Sequence, residues 1–357
     1  MELGPAALYV ESVKGCPFSC AMCHFKKSKP KNMSRALLEK IEPFFKDLEV
    51  MAIHGQGEPL LGDIEYFVEQ SVKNDFVLHM NTTGFLLTKR TSDLLSSTRL
   101  SIRFSIHAGI AETYKRIMGH DLGRTKRNIS YLVTRAKRSE NGHDFWFSFI
   151  VMKENIDEIE EFLHLAQDCG VESVRFMRLI PNWQSVKGVR MKDRQFKFKY
   201  SEQFNRRVRG EFLRRLPAYQ DLANKLGIKI EFGSIESHKG GQHPLREMMN
   251  SATAGLFGRG VFPLLGIPGS CLAPWFGQLV VNQKGDVRLC CATTHTLGNL
   301  KESTLPEIWN SNKMKAIRKA FAEGRNPKVC GYCKGFYFGN YPNNSFLGIP
   351  RQQREEV

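Results

Sequence analysis

Strand-like and helix-like segments alternate from residue 7 to about residue 180. Short apolar segments typical of buried strands, such as "RLSIRFSIHAG", are each followed by an amphipathic segment such as "RTKRNISYLVTRAKR". Repeated strand–helix units build a parallel sheet with helices packed outside it. We therefore predict an α/β fold with a parallel sheet over residues 1–180. Its chemistry is expected at the carboxyl ends of the strands.

The alternation stops after the sixth predicted strand. Residues 181–262 are dense in Lys and Arg with interleaved aromatic residues, and we predict a basic connecting or substrate-binding region there. The hairpin pattern "GQLVVNQKGDVRLCC" and the helical pattern "LPEIWNSNKMKAIRKAFAEG" predict a small α+β domain over residues 263–340. Residues 341–357 form a tail. The domain boundary is predicted near "FPLLGIPGS", at residues 262–270.

Three cysteines follow the first predicted strand with the spacing C-x3-C-x2-C: Cys16, Cys20 and Cys23. Three thiolates leave one coordination position open, which is typical of a working centre, and soft thiolates suit iron–sulfur clusters. The alternatives are a zinc site completed by His24 or by a distant residue, and three buried cysteines without a metal. The first residues show no signal peptide, so we expect a cytoplasmic protein. Its nine cysteines are then metal ligands or reactive thiols rather than disulfides.

Four motifs in this α/β region resemble those of the radical S-adenosylmethionine (SAM) superfamily, and the resemblance implies that residues 1–180 form a partial (β/α)6 TIM-like barrel. "CPFSCAMC" matches its cysteine loop, with Met22 at the apolar position, and "GQGEPLL" resembles its GGEP element, with Gln56 in place of the first glycine. "NTTGFLL" and "SIHAGIAETYKRIMG" resemble the elements that follow the third and fourth strands. The resemblance covers roughly residues 7–180, with the motifs on successive strand ends.

The resemblance implies a 4Fe-4S cluster bound by the three cysteines, with an open iron for SAM. Reductive cleavage of SAM would then give a 5′-deoxyadenosyl radical that abstracts hydrogen from a C–H bond. In this reading Gln56, Gly57 and Glu58 line the methionine amino group through their backbone carbonyls. The other residues expected to bind the cofactor lie at or near the strand ends: Met22, Asn81, Thr82, Ser105, Ser148 and Arg175.

A second cysteine group lies in the predicted C-terminal domain, at Cys271, Cys290, Cys330 and Cys333. Its layout resembles the shortened SPASM ("twitch") domain that follows some radical SAM barrels, which implies one auxiliary 4Fe-4S cluster. A four-cysteine zinc ribbon is the alternative. Neighbours on a strand point to opposite faces, so only one of Cys290 and Cys291 can be a ligand, and we favour Cys290. Cys291 is either a buried apolar thiol or a hydrogen-atom donor to a substrate radical.

The resemblance predicts an oxidoreductase or epimerase acting on a small polar substrate of the sugar, aminocyclitol or nucleoside type. The formal net charge of +16 favours an anionic or phosphorylated substrate, although a solvated basic surface would look the same. A flavodoxin or ferredoxin is expected as electron donor. The alternatives are a SPASM-type peptide maturase and, ranked lower, an RNA-modifying enzyme. No membrane partner is expected, because no apolar stretch is long enough to span a bilayer.

Overall fold

A ten-stranded sheet organises the protein. The computed structural model describes residues 7–23, 28–179, 198–232, 273–290, 293, 295–323, 325 and 327–330. The strands of the large sheet, with their bounds, are β1 (Ala7–Val10), β4 (Val50–Ala52), β5 (Val77–Thr82), β6 (Leu100–Ser105), β7 (His143–Val151), β8 (Ser173–Arg178), β9 (Lys229–Phe232), β10 (Gly277–Val281), β11 (Asp286–Arg288) and β12 (Thr296–Asn299). A separate two-stranded sheet pairs β2 (Val13–Lys14) with β3 (Lys31–Asn32).

The strand order is β12-β11-β10-β1-β4-β5-β6-β7-β8-β9. In this order, each strand from β10 through β1 and on to β9 is parallel to its neighbour. Beyond β10, the strands β11 and β12 are each antiparallel to the preceding strand and form one edge of the sheet. This confirms the parallel α/β sheet predicted from the strand–helix alternation and the partial TIM-like barrel that the resemblance implies. The carboxyl ends of its parallel strands point the same way, and the sequence motifs follow these strand ends.

Helices cover one face of the sheet. They are α1 (Arg35–Glu39), α2 (Ile64–Asn74), α3 (Lys89–Leu95), α4 (Ala111–Met118), α5 (Leu122–Lys137), α6 (Ile159–Asp168), α7 (Tyr200–Gln203), α8 (Arg206–Lys225), α9 (Ala273–Phe276), α10 (Leu305–Trp309) and α11 (Asn312–Ala322). Local signals set their ends, as sequence reasoning expects. Asp63 caps α2 by accepting a hydrogen bond from the Tyr66 amide at 3.1 Å, and Gly170 follows α6 with φ +72°. Among the described helices, none has both the length and the apolar character needed to cross a bilayer.

The main core lies between the sheet and these helices. On β6, Leu100, Ile102 and Phe104 are fully buried in it. Alternate residues of a strand point to opposite faces, so Ser101 and its neighbours at period two lie on the other face. We call that face, turned away from the helices, the inner face of the barrel.

The structure departs from the sequence prediction at residues 198–232. The prediction that the strand–helix alternation stops near residue 180 is wrong for this segment, because α8 and β9 continue it and β9 pairs in parallel with β8. The lysines and arginines of α8 hide the helical pattern, since only four of its side chains are buried. The helical pattern "LPEIWNSNKMKAIRKAFAEG" forms two helices, because α10 ends and Ser311 caps α11. In the first part of the chain a 3-10 helix at Glu42–Asp47 follows α1.

The C-terminal hairpin joins the barrel sheet at its first strand. The predicted turn "NQKGD" connects β10 and β11, with Gly285 at φ +86°, and β10 lies parallel to β1 with Val280 opposite Tyr9. The Lys40 ammonium group donates to the Leu300 carbonyl at 2.6 Å, a second link between the two parts. The predicted boundary at residues 262–270 lies outside the described residues, and the predicted domain limits remain predictions.

Candidate active site

The cysteine loop leaves the small sheet at Gly15 and lies against the end of α4. Gly15 has φ +115°, a conformation that favours glycine, and the Cβ of any other residue would lie 2.6 Å from the Lys29 carbonyl oxygen. The Ala21 amide donates to the Ile117 carbonyl at 2.7 Å, and the Cys20 thiol lies 3.6 Å from the Met118 carbonyl. The loop is therefore fixed at both its start and its middle.

The three thiols of this loop share one electrostatic environment. Burial raises the pKa of Cys16 to about 11 and that of Cys20 further, and the charges of Cys23 and Glu58 raise both. Three thiolates so placed are costly without a cationic centre, so the donor set fits a metal cluster. Among the described residues no three Cys, His, Asp or Glu side chains converge to bind a single ion. In a cubane each thiolate binds a different iron. His24 lies outside the described part of the chain.

The "GQGE" segment packs directly against the start of the cysteine loop. Gly15 and Gly57 form a parallel β-bridge, with the Gly15 amide donating to the Gln56 carbonyl at 3.1 Å and the Glu58 amide donating to the Gly15 carbonyl at 3.2 Å. A Cβ on Gly57 would lie 2.5 Å from the Val13 carbonyl oxygen, so only glycine fits this approach. The cysteine loop and the segment predicted to line the methionine amino group thus form one backbone unit.

Glu58 is a buried side chain that ties two strand ends together. Its carboxylate accepts hydrogen bonds from the Thr82 hydroxyl at 2.5 Å and from the Thr83 amide at 3.3 Å, and only 3% of the residue is exposed. Burial raises the pKa of the Glu58 carboxyl, and this effect is larger than the lowering by the hydrogen bonds. The Glu58 carbonyl also accepts from the Leu61 amide at 3.1 Å. The carbonyl role predicted for this residue, and the cofactor-binding role of Thr82, remain predictions.

The other predicted cofactor residues lie in two neighbouring rows across the inner face. In the first row, the strand register places Asn81 opposite Arg103. In the second row, Ser148 lies between Ser105 on one neighbouring strand and Arg175 on the other. Asn81 and Ser105 are half-buried, while Ser148 and Arg175 are buried. The structure therefore brings Asn81, Ser105, Ser148 and Arg175 onto one surface, while Thr82 bonds to Glu58 instead.

Two arginines contact one indole ring on that surface. The Arg103 guanidinium lies 4.6 Å from the centre of the Trp146 ring, and the Arg175 guanidinium lies 4.4 Å from a ring centre of the same indole. Arg175 also donates to Glu231 through two nitrogens, at 2.6 and 3.2 Å. Burial disfavours the Glu231 carboxylate, but Arg175 more than offsets this and lowers its pKa.

Sequence reasoning missed Arg103, Trp146 and Glu231. The signal was present, because polar or amphipathic residues alternate with apolar ones in "LSIRFS" and "DFWFSF". In a strand buried on both faces such alternation marks the polar face.

Buried histidines extend the polar inner face toward β1. The Tyr9 hydroxyl contacts His54, whose ring centre lies 5.3 Å from that of His79, and His79 Nδ1 lies 3.0 Å from Ser101 Oγ. Burial lowers the pKa of His79 to about 3 and that of His54 strongly, so both rings are neutral. His107 is also buried, and its Nδ1 accepts from the Ile150 amide at 3.2 Å, a structural contact.

Only part of the second cysteine group is described. Cys290 is buried just after β11, and Cys330 is half-buried in the 3-10 turn Lys328–Cys330. Cys271, Cys291 and Cys333 lie outside the described residues, so the predicted ligand set and the donor role of Cys291 remain predictions. Near the first group, the Met22 carbonyl accepts a hydrogen bond from the Tyr200 hydroxyl.

Two family models match the chain. The radical SAM superfamily matches residues 10–166, and the SPASM iron–sulfur cluster-binding domain matches residues 271–334. Curated relatives named "Probable GTP 3',8-cyclase" include one from Saccharolobus islandicus, 28% identical over 180 residues, and one from Metallosphaera sedula, 23% identical over 175. Each match covers 46% of this chain and 54% or 53% of the relative, so the matched region is about half of either protein.

Solved structures resemble most of the described fold. Streptococcus suis SuiB bound to S-adenosylmethionine superposes with a TM-score of 0.60 at 16% identity, covering 88% of this chain and 68% of SuiB. Native anSMEcpe with bound AdoMet superposes with a TM-score of 0.60 at 18% identity, covering 94% of this chain and 88% of that one. At these identities the likeness concerns the fold alone.

Proposed function

The chain is a radical SAM enzyme with a C-terminal SPASM domain, and we propose that it acts on a small polar substrate that carries an anionic group. The radical SAM domain implies a 4Fe-4S cluster and SAM, and the SPASM domain implies auxiliary iron–sulfur binding. When bound, this cluster and SAM would supply the radical chemistry that abstracts hydrogen from an unactivated C–H bond. Cys16, Cys20 and Cys23 would hold that cluster.

The observation that carries the substrate proposal is the pair of arginines on Trp146. Guanidinium groups recognise carboxylates and phosphates through paired hydrogen bonds, and they stack on aromatic rings. Arg103 and Arg175 come from different strands, and the indole between them fixes both. A buried polar surface of this kind orients a small substrate and excludes water from the reaction.

A purine nucleotide is the first substrate to test. Relatives over nearly half of the chain are named GTP 3',8-cyclase, and a nucleotide combines a phosphate for the arginines with a sugar whose C–H bonds can react. Oxidation and epimerisation remain the proposed outcomes from the sequence, and the names of the relatives add ring closure as a third. The peptide alternative draws no support from the described contacts.

Deuterium transfer tests this proposal directly. The reconstituted enzyme is incubated under reduction with SAM and with nucleotides deuterated at each ribose carbon in turn. We expect deuterium in 5′-deoxyadenosine from one position. Arg103→Gln should raise KM for that nucleotide about tenfold or more, because a hydrogen bond between charged groups is lost. Arg99→Gln, which removes a half-buried arginine paired with Asp75, should leave KM unchanged. Transfer from peptides but from no nucleotide would contradict the proposal.

A further inference from the structure

A buried histidine lies directly against the cysteine loop. It follows Gly119, which ends α4 with φ +81°, and only 7% of His120 is exposed. The His120 ring stacks on the Phe18 ring, with ring centres 4.4 Å apart and an angle of 21° between the planes. Phe18 stands between Cys16 and Cys20 in the sequence. The histidine therefore contacts the segment that connects two of the predicted cluster ligands.

Hydrogen bonds fix both the orientation and the tautomer of this ring. His120 Nδ1 lies 2.9 Å from the Met118 carbonyl oxygen, which can only accept, so Nδ1 carries the proton. Burial lowers the pKa of His120, so the ring is neutral, and Nε2 accepts from the Tyr114 hydroxyl at 3.1 Å. Both ring nitrogens are therefore held by residues of α4, in the orientation that stacks on Phe18.

The same carbonyl group also faces a predicted cluster ligand. The Cys20 sulfur lies 3.6 Å from the Met118 carbonyl oxygen, so His120 and Cys20 share one acceptor. A cysteine that binds iron is a thiolate and donates no hydrogen bond, which leaves an anionic sulfur beside a carbonyl oxygen. The His120 N–H draws negative charge from that oxygen and reduces the repulsion. Such hydrogen bonds and charges near the sulfurs help to set the reduction potential of an iron–sulfur centre.

Three of the four sequence motifs meet at this ring. The cysteine loop supplies Phe18, and the "NTTGFLL" segment supplies Phe85, whose ring centre lies 4.7 Å from that of His120. The "SIHAGIAETYKRIMG" segment supplies Tyr114 and Met118. The motifs themselves assign no role to residue 120, because it directly follows the last of these segments. Its contacts, rather than its place in the sequence, identify it.

We propose that His120 is a positioning residue for the cluster at the cysteine loop and acts through two separate contacts. Its ring holds Phe18 and with it the backbone between the first two ligands. Its N–H offsets the charge of the Met118 carbonyl beside Cys20. The proposal rests on the proposed function, in which the three cysteines of this loop hold a 4Fe-4S cluster. The ring contact controls how readily iron leaves the loop, and the N–H controls the reduction potential.

Two substitutions separate these contacts. His120→Phe keeps an aromatic ring against Phe18 and removes the N–H, whereas His120→Asn removes the ring and keeps an amide N–H at the position of Nδ1. His164→Phe and His164→Asn are matched controls, because His164 is exposed on α6.

Two measurements on each holoenzyme report on the loop without depending on turnover. The first is the rate of anaerobic iron release to a chelator. The second is the reduction potential from a titration followed by electron paramagnetic resonance. The release phase and the resonance signal that disappear when the three loop cysteines are replaced by Ala belong to the loop.

We expect the two His120 variants to differ in opposite ways. His120→Asn should release the loop iron about fivefold faster at an unchanged reduction potential, because a stacked ring pair is lost. His120→Phe should release iron at the wild-type rate, but its reduction potential should become more negative. Reduction then adds negative charge beside a carbonyl oxygen that no N–H offsets. Both His164 variants should behave as the wild type does.

Wild-type behaviour of both His120 variants would overturn the proposal. Equal changes in both measurements would also overturn it, since a residue that only fills space gives that result. Phe18→Leu, at a half-buried position, carries the test if a His120 variant fails to fold. It should release the loop iron about fivefold faster, and a wild-type rate would contradict the ring contact. Adding His120→Asn to it should bring no further increase, because the two side chains share one contact.

Failure of the proposed function would look different. A wild-type protein that holds iron at the loop but does not cleave SAM under reduction would refute that function. The rates of iron release would still decide whether His120 positions the loop.

Discussion

The two cysteine groups differ in how the chain holds them. Cys16, Cys20 and Cys23 lie within one loop that is hydrogen-bonded to α4 and bridged to the segment after β4. Cys290 and Cys330 are forty positions apart, one after a hairpin strand and the other in a 3-10 turn. A site built by one short segment can be recognised from spacing alone. A site built from distant segments depends on the tertiary fold that brings them together.

The sheet joins these two regions physically. Because β10 pairs with β1, the strand that precedes the cysteine loop is also the strand that carries the C-terminal hairpin. The Arg288 guanidinium of β11 donates to the Glu11 carboxylate at 2.8 Å, just beyond the end of β1. The comparison therefore predicts that the two centres are chemically separable but structurally coupled.

Loss of the first group should have the largest effect. Replacing Cys16, Cys20 and Cys23 with Ala should abolish SAM cleavage and remove about four of the roughly eight irons expected for two clusters. Iron analysis and chromatography of 5′-deoxyadenosine check this. Cys169→Ala is the matched control, because Cys169 is a buried core cysteine outside both groups. SAM cleavage that survives the triple substitution would refute the separation of roles.

Loss of a ligand of the second group should leave SAM cleavage intact. Cys290→Ala should also remove about four irons, while 5′-deoxyadenosine still forms under reduction. Substrate conversion should fall if the auxiliary cluster takes part in it. Cys291→Ala should keep all the iron; if it loses iron and Cys290→Ala does not, the favoured ligand is wrong. Bound zinc with iron for one cube would contradict the auxiliary cluster.

The coupling of the two regions should appear as stability. Arg288→Met leaves the Glu11 carboxylate buried and unpaired, at a cost of about 3 kcal/mol in the free energy of unfolding. Urea denaturation measures this cost. Arg90→Met, which breaks an exposed pair with Glu65, should change the free energy by no more than about 0.5 kcal/mol. Equal effects of the two substitutions would mean that the link between β11 and β1 contributes nothing special.

The smallest effect concerns the acid side of the pH–stability profile. The folded-state pKa of Glu231 is lowered by Arg175, so the pair stabilises the fold above the ordinary pKa of 4.5. That stability is lost as the pH falls through the lower folded-state pKa. Glu231→Gln should therefore lower stability near neutral pH and flatten its decline below about pH 4.5, as thermal unfolding across pH would show. An unchanged acid slope would contradict the assignment.

Sequence reasoning recovered what depends on local signals. The strand–helix alternation and the hairpin turn at Gly285 are encoded within a few residues, and the structure confirms them. The pairing of β10 with β1 joins residues about 270 positions apart, and no local pattern specifies it. The contacts of Arg103 and Arg175 with Trp146 depend likewise on the register of three strands. Predicted site residues were thus placed on the right strands, but their partners were not found.

One measurement tests the central claim most directly: the products formed from SAM by the anaerobically reconstituted wild-type protein under dithionite. We expect 5′-deoxyadenosine and methionine in equal amounts. Both should be absent without reductant, because the cleavage of the C5′–S bond consumes one electron. Formation of S-adenosylhomocysteine in their place, or cleavage that needs no reductant, would contradict the claim that the loop of Cys16, Cys20 and Cys23 holds a radical SAM centre.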